Sequence, residues 1–419
     1  MNGKGDSMQL AEFLDASYTP YQAVEEVKTY LNQNGFTELS EREAWSLVRG
    51  GNYYVERNGS SLIAFRVGEG DYFKLIATHA DSPCLKLKEN PNMLSEKYVK
   101  WNVETYGGGI WYSFFDRPLK VAGRVVERDG DALSVRSVVS DYTVIIPSLA
   151  VHMNRGVNDG FSVNPQIDLL PLAGIGQAEV MSGISDRAVS YDLYVASAQK
   201  AFVSGVNGEF LCSPRIDNLT SVYASMLGLC QAEGDGICVA AIFDNEEVGS
   251  GTMQGAASDF LKTTLDRICL AFGIEEKIAF AKSMMISLDN AHAMHPNHPE
   301  KCDPTNRPVM GGGIVVKSHA NRAYTTDALS SAIVKTVFDA ANVRYQTFFN
   351  RSDMRSGGTL GAVSLGQVSV LTVDLGLAQL SMHSATECVA LSDVDCLVKG
   401  LSAFYGASIS FNGDKVCVK

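Results

Sequence analysis

Tyr72-Phe73-Lys74-Leu75-Ile76-Ala77-Thr78, running straight into His79-Ala80-Asp81, is the stretch on which the fold turns. The run is short, apolar and β-rich, which predicts a strand, and it ends on an imidazole and a carboxylate. The arrangement recurs downstream. Ile237 to Phe243 leads into Asp244-Asn245-Glu246-Glu247, Met284 to Leu288 into Asp289-Asn290-Ala291-His292, and Val368 to Val373 precedes Met382-His383-Ser384. Such runs suit buried strands of a parallel sheet. Leu219, Val222, Tyr223, Met226 and Leu229 fit one face of a helix, so the chain after Arg215 reads as a strand–helix alternation. In open α/β sheets the carboxyl ends of strands form the ligand crevice, and four clusters distant in sequence can converge there.

Outward from this core, Met8 to Ala16 and Tyr21 to Asn34 carry apolar residues at helical spacing, with Pro20 marking the break between them. From about Glu89 to Gln199 the character changes. Leu119 to Val126, Ala132 to Val139 and Tyr142 to Ile146 predict a small β-rich unit, while Asp186 to Ala201 fits helix or strand. Ser392-Asp393-Val394-Asp395 reads as the cap of the last long helix. The expectation is an α/β sheet domain interrupted by a β-rich insertion.

The chain has 419 residues, enough for two domains, with 35 Lys plus Arg against 47 Asp plus Glu and a net charge of −12. An acidic chain without a basic tract speaks against nucleic acid and anionic membrane partners. Met1 to Ser7 lacks the apolar core of a secretory signal, and no apolar run has the length of a membrane span. Nine scattered cysteines without a C-x-x-C pair predict reduced, mostly buried thiols in a cytoplasmic protein, with no thiol chemistry.

The residue types at the strand ends fit a dinuclear metal site. Imidazole and carboxylate suit zinc, cobalt and manganese, and two ions about 3.5–4 Å apart need a bridging carboxylate. Asp217, following Arg215-Ile216 at the start of a helix, is a candidate bridge. Asp81 suits an orienting role for His79. Glu246 and Glu247 are adjacent, so their side chains diverge, and one can coordinate while the other faces a water as general base. Alone, a His-x-Asp or a Glu pair is usually an ordinary surface feature. His292, His295 and His298 read more simply as a loop. The weight lies in four signals at four strand ends.

The segments His79-Ala80-Asp81-Ser82-Pro83, Arg215-Ile216-Asp217-Asn218, Asp244 to Ser250, Asp289 to Ala293 and Met382-His383-Ser384 resemble the aspartyl and vacuolar aminopeptidase family of dinuclear zinc exopeptidases. The likeness runs in order from Ser17-Tyr18-Thr19-Pro20 to the last helix. It implies a mixed-sheet zinc-peptidase domain formed by residues 1–88 and 206–419, with residues 89–205 as a dimerisation lid. It further implies two divalent ions per chain, zinc first and cobalt or manganese admissible. His79 and Asp289 would bind one ion, Glu247 and His383 the other, and Asp217 both. Glu246 would be the general base acting on a water held by the metals, and Asp81 would orient His79. His152, in Ile146-Pro147-Ser148-Leu149-Ala150-Val151-His152, would reach a neighbouring subunit's site. Dimers would build a tetrahedral dodecamer acting on peptide substrates. Lys317, His319, Asp353 and Met354 would shape the pocket for the first side chain, with Lys317 favouring Asp or Glu. Two departures touch that pocket: Lys317-Ser318-His319 with Arg322-Ala323-Tyr324, and Gly358 within the frame Arg351 to Gly361.

Three alternatives stay open on the sequence. A carboxypeptidase or N-acyl amino acid deacylase of related fold uses a similar ligand set. An inactive assembly-forming homologue keeps the fold without the chemistry, against which an intact Glu246 and five ligands speak. A glycosidase with two acids about 5–9.5 Å apart leaves the histidines without a purpose.

Overall fold

The computed structural model describes residues 9–354 and 357–419. Met8 of the first helix and Arg355-Ser356 of the pocket frame lie outside the described residues. A nine-stranded sheet forms the centre, in the order Thr37–Leu39, Asn52–Arg57, Ser61–Arg66, Ile237–Phe243, Phe73–His79, Met284–Leu288, Leu371–Gly376, Ile314–Lys317 and Tyr345–Phe348. Its middle four strands are mutually parallel. Ser61–Arg66 and Ile314–Lys317 close them off antiparallel, so the sheet is mixed.

Successive residues of a strand point to opposite faces, and here both faces are covered. Ile76, Ala240 and Ile286 pack under the helices Ile216–Cys230, Ala328–Ala340 and Leu391–Gly406. Leu75, Ala77 and Val239 pack against Phe260–Phe272 on the other side. Each fully buried aliphatic side chain contributes roughly 1.5–3 kcal/mol, which holds the strand ends in fixed register. Lys74 sits in this apolar strand because its Nζ donates to the Tyr405 carbonyl at 2.6 Å. Burial lowers its pKa.

A six-stranded antiparallel sheet runs in the order Ala132–Val139, Leu119–Asp129, Ala188–Ser197, Cys84–Ser95, Tyr98–Tyr106 and Leu172–Ile175. The ambiguous stretch from Asp186 is therefore a strand. Tyr142–Ile146 is not one: Val144 bridges Leu119 and Ile145 bridges Leu172, so consecutive residues serve two different strands and no ladder forms. A third sheet has the order Phe202–Ser204, Phe210–Ser213, Glu387–Ala390, Ala378–Leu380 and Ala291–His292.

Other expectations shift. The strand expected over Val368 to Val373 is Leu371–Gly376, because Val368 and Val370 are spent on core packing before the ladder begins. His383 thus follows Ala378–Leu380 of the third sheet rather than a strand of the central one. The last helix starts at Leu391 with no side-chain cap. Asp393 instead accepts from the N–H groups of Gly311 (2.7 Å) and Gly313 (2.9 Å), bracing a turn of another segment. The nine cysteines are free, yet only Cys84, Cys238 and Cys269 are buried, since several lie on sheet faces near the surface.

Candidate metal centre

His79 is the last residue of Phe73–His79 and pairs in register with Phe243, so Asp244 to Glu247 emerge beside it. Asp289 follows Met284–Leu288, the neighbour on the opposite flank. Asp217 opens the helix Ile216–Cys230, and His383 comes from the loop between two strands of the third sheet. Three non-glycine residues here adopt left-handed backbone: Arg215 (φ 61°), Asn245 (φ 63°) and His383 (φ 67°). Such conformations cost energy and persist only when surrounding contacts impose them. Arg215 shows how: its buried guanidinium donates to the carbonyls of Ser197 (3.0 Å) and Leu14 (3.1 Å) and lies over Tyr18.

Five donors form two groups that share one carboxylate: His79, Asp217 and Asp289, then Asp217, Glu247 and His383. His79 Nε2 lies 3.7 Å from both Asp217 Oδ1 and Asp289 Oδ1. His383 Nε2 lies 3.2 Å from Asp217 Oδ2 and 3.3 Å from Glu247 Oε1. Both imidazoles are oriented from behind. His79 Nδ1 meets the main-chain oxygen of Asp81 at 3.1 Å, and His383 Nδ1 meets that of Gly108 at 3.0 Å. A carbonyl only accepts, so each ring carries a proton on Nδ1 and turns its Nε2 to the cluster. There, against the effect of burial, the carboxylates raise the pKa of both imidazoles, and a cation would take the place of the Nε2 proton. Asp217 Oδ1 and Glu247 Oε1 are buried with no hydrogen-bond partner. Buried polar atoms are nearly always paired, and two orphaned carboxylate oxygens facing the Nε2 atoms of two imidazoles are what a cation would satisfy. A mixed N/O donor set of this kind fits zinc.

The surrounding residues hold the donors rather than join them. Asp81 Oδ1 accepts from the N–H of Glu246, and its Oδ2 from the N–H of Glu247, each at 3.1 Å. Its carboxylate lies 3.3 Å from His79 Nδ1, so one side chain ties the imidazole to the Glu246–Glu247 turn. Tyr106 donates to Asp81 Oδ2 at 2.7 Å and accepts from Asn245. Glu387, fully buried, accepts from the N–H of Asp217 at 2.8 Å and of His383 at 2.5 Å, clamping the two segments together. Nothing in the sequence marks Tyr106 or Gly108 as belonging to the site. Only Glu387 carried a signal, as a carboxylate four residues after a candidate ligand.

Crowded carboxylates set the electrostatics. Burial, reinforced by Asp289, Asp81 and Asp217 against the opposing pull of His79, pushes Glu246 up to about 7. Burial and then Asp217 raise Glu247 well above the carboxylate range and Glu387 to about 8. Burial also opposes the charge of Asp289, but Lys317 and His79 beside it hold its carboxyl low. Lys317, 1% exposed, donates from Nζ to the carbonyls of Asp289 (2.6 Å) and Asn290 (3.3 Å). A surface lysine it is not.

Other candidates lie further out. His319, Asp353 and Met354 line one cleft with Phe349, and Asp353 is paired with Arg351 at 2.7 Å. His152 is exposed and joins neither donor group. His295 and His298 are exposed with ring centres 5.3 Å apart, and His292 lies against Phe348; none belongs to a donor group among the described residues.

The family described as Aminopeptidase I zinc metalloprotease (M18) matches residues 13–187 and 178–405. A Clostridium acetobutylicum protein described as an M18 family aminopeptidase 2 is 40% identical over 422 residues, covering 95% of this chain and 98% of the relative. The solved structure of Ape4 in complex with Nbr1 superposes with a TM-score of 0.90 at 34% identity, over 94% of this chain and 84% of that one. The mApe1 dodecamer of S. cerevisiae gives 0.82 at 26% identity, over 94% and 95%. Among the described residues no helix is long and apolar enough to cross a membrane. The match spans the central sheet, the six-stranded sheet and every donor of the cluster, and the chain belongs to the M18 aminopeptidase family of zinc metalloproteases and is a metal-dependent aminopeptidase.

Proposed function

We propose that His79, Asp217 and Asp289 hold one zinc ion and Asp217, Glu247 and His383 a second, with Glu246 as the proton-transfer group. The observation that carries this reading is the pair of orphaned buried oxygens, Asp217 Oδ1 and Glu247 Oε1, facing the Nε2 atoms of His79 and His383. When bound, such ions polarise the scissile carbonyl and acidify a water. The chain's own residues supply the rest. Glu246 takes the proton of the attacking water and returns it to the leaving amine. Asp81 keeps Glu246 and Glu247 diverging by holding both of their N–H groups. A free peptide α-amine bound beside the donor cluster limits release to one residue at a time.

The cleft of His319, Asp353 and Met354 receives the first side chain. A buried lysine ammonium such as that of Lys317 favours an acidic first residue in the adjoining pocket. Residues 89–205 act as the dimerisation lid: Leu149, Val151, Met153, Phe161 and Ile167 expose apolar surface of the kind an interface covers. The subunits assemble as the dodecamer seen for mApe1, His152 serves the neighbour's site, and free thiols suit a cytoplasmic setting.

The test strips the protein with a chelator, refills it with zinc, cobalt or manganese, and assays aspartyl, glutamyl and leucyl chromogenic substrates. Two ions per chain at full activity are expected, with acidic substrates ahead. Full activity at one ion per chain sinks the dinuclear reading, and a leucyl preference removes the acidic pocket.

A further inference from the structure

Cys212 and Cys388 are 176 residues apart in the chain, and nothing in their spacing links them. The third sheet sets them directly opposite each other, on the antiparallel strands Phe210–Ser213 and Glu387–Ala390. In the same register the N–H of Leu391 donates to the carbonyl of Glu209 at 3.0 Å, which makes that pair hydrogen-bonded. Pairs alternate along an antiparallel ladder, so three steps on, Cys212 and Cys388 occupy a non-hydrogen-bonded position. There the Cα atoms approach to about 4.5 Å, the closest pairing a sheet offers. Disulfides accept Cα separations of about 4.4–6.8 Å, so this pair, at the short end of that range, closes by a local twist and without separating the strands. Both residues are half-buried, within reach of a small reagent.

We propose that Cys212 and Cys388 form an oxidisable dithiol site whose reactant is a small-molecule disulfide, and that closing it slows the peptidase. Burial, and then Cys212 beside it, push the Cys388 thiol up to about 12, which leaves Cys212 to open the reaction. The Cys212 thiolate attacks one sulfur of the reagent, forming a mixed disulfide and expelling one thiolate. Cys388 then attacks the Cys212 sulfur and expels the second. Two protein thiols are oxidised, one small disulfide is reduced to two thiols, and the protein's protons leave on them. The consequence reaches the donors through one peptide unit. Glu387 precedes Cys388 and holds the N–H groups of both Asp217 and His383. A bond at the short end of the permitted range twists the strand there and shifts that carboxylate.

The experiment treats the purified full chain with oxidised glutathione, digests it without reductant, and follows peptidase activity in parallel. A Cys212–Cys388 linked peptide is expected, lighter by two hydrogens than its parts, with activity falling about tenfold, as small misplacements at a reacting centre do, and returning with dithiothreitol. C212S and C388S, active when reduced, should each lose the linked peptide and the reversible fall. A glutathione adduct that persists on Cys212, or thiol loss without the linked peptide, overturns the site. A linked peptide with unchanged turnover overturns the coupling through Glu387. The activity arm rests on the proposed metal centre, whereas the peptide map does not, so the two can fail separately.

Discussion

At the residue scale the donor set combines three carboxylates and two imidazoles within one shell, an arrangement that repels itself unless cations sit between them. Glu246 belongs to neither donor group, and Glu246→Gln keeps its shape while removing its capacity to take a proton. Peptidase kcat should fall by about 10²–10⁴, the range general-base loss produces, with both ions retained by elemental analysis. Near-native kcat, or loss of an ion, would exclude Glu246 from that role. Asp217→Asn tests the opposite case. A neutral amide cannot offset two cations, so fewer than two ions per chain should remain after dialysis. Two tightly held ions would mean that another residue is the bridge.

At the element scale, the end of one strand sets the position of a donor on the next. Gly376 closes the strand Leu371–Gly376, and a Cβ there would lie 1.9 Å from the carbonyl oxygen of Asp289. That same oxygen accepts from Lys317, so the glycine and the lysine together fix where Asp289 leaves its strand. Gly376→Ala should push the Asp289 segment away and weaken ion binding at the His79 and Asp289 side by about 10–100-fold, as loss of supporting contacts does. Titration of the stripped protein with zinc measures it. Gly406→Ala, where a Cβ meets nothing within 4 Å, is the control and should bind as the parent does. Equal affinities in both variants would show that the strand end yields without moving the donor.

At the scale of the whole molecule, His152 lies on an exposed segment flanked by Leu149, Val151 and Met153 and belongs to neither donor group, and the proposed service to a neighbouring subunit can be tested by mixing chains. Glu246→Gln and His152→Phe chains, each inactive alone, should recover part of the activity when mixed and allowed to exchange subunits. Some sites then combine an intact Glu246 with a neighbour's intact His152. Recovery is followed by peptidase assay, with exchange checked by native mass measurement. Exchange without recovery would leave His152 a structural residue.

Much was legible in the sequence because it is local. Run length and polarity announce the strands at Phe73–His79, Ile237–Phe243 and Met284–Leu288, and the donors stand at their ends where a reader of the chain can nominate them. The strand expected over Val368 to Val373 lies three residues further on, because an apolar run does not say which of its members pack and which enter a ladder. Tertiary structure alone decided which imidazole nitrogen faces the carboxylates. For His383 that rests on the carbonyl of Gly108, 275 residues away, a main-chain atom with no side-chain signature. It alone decided that Glu387 clamps Asp217 to His383, that Asp393 serves a distant turn rather than its own helix, and that Cys212 meets Cys388. Periodicity belongs to one segment, whereas register and hydrogen-bond partnership belong to two, and only the fold brings the second to the first.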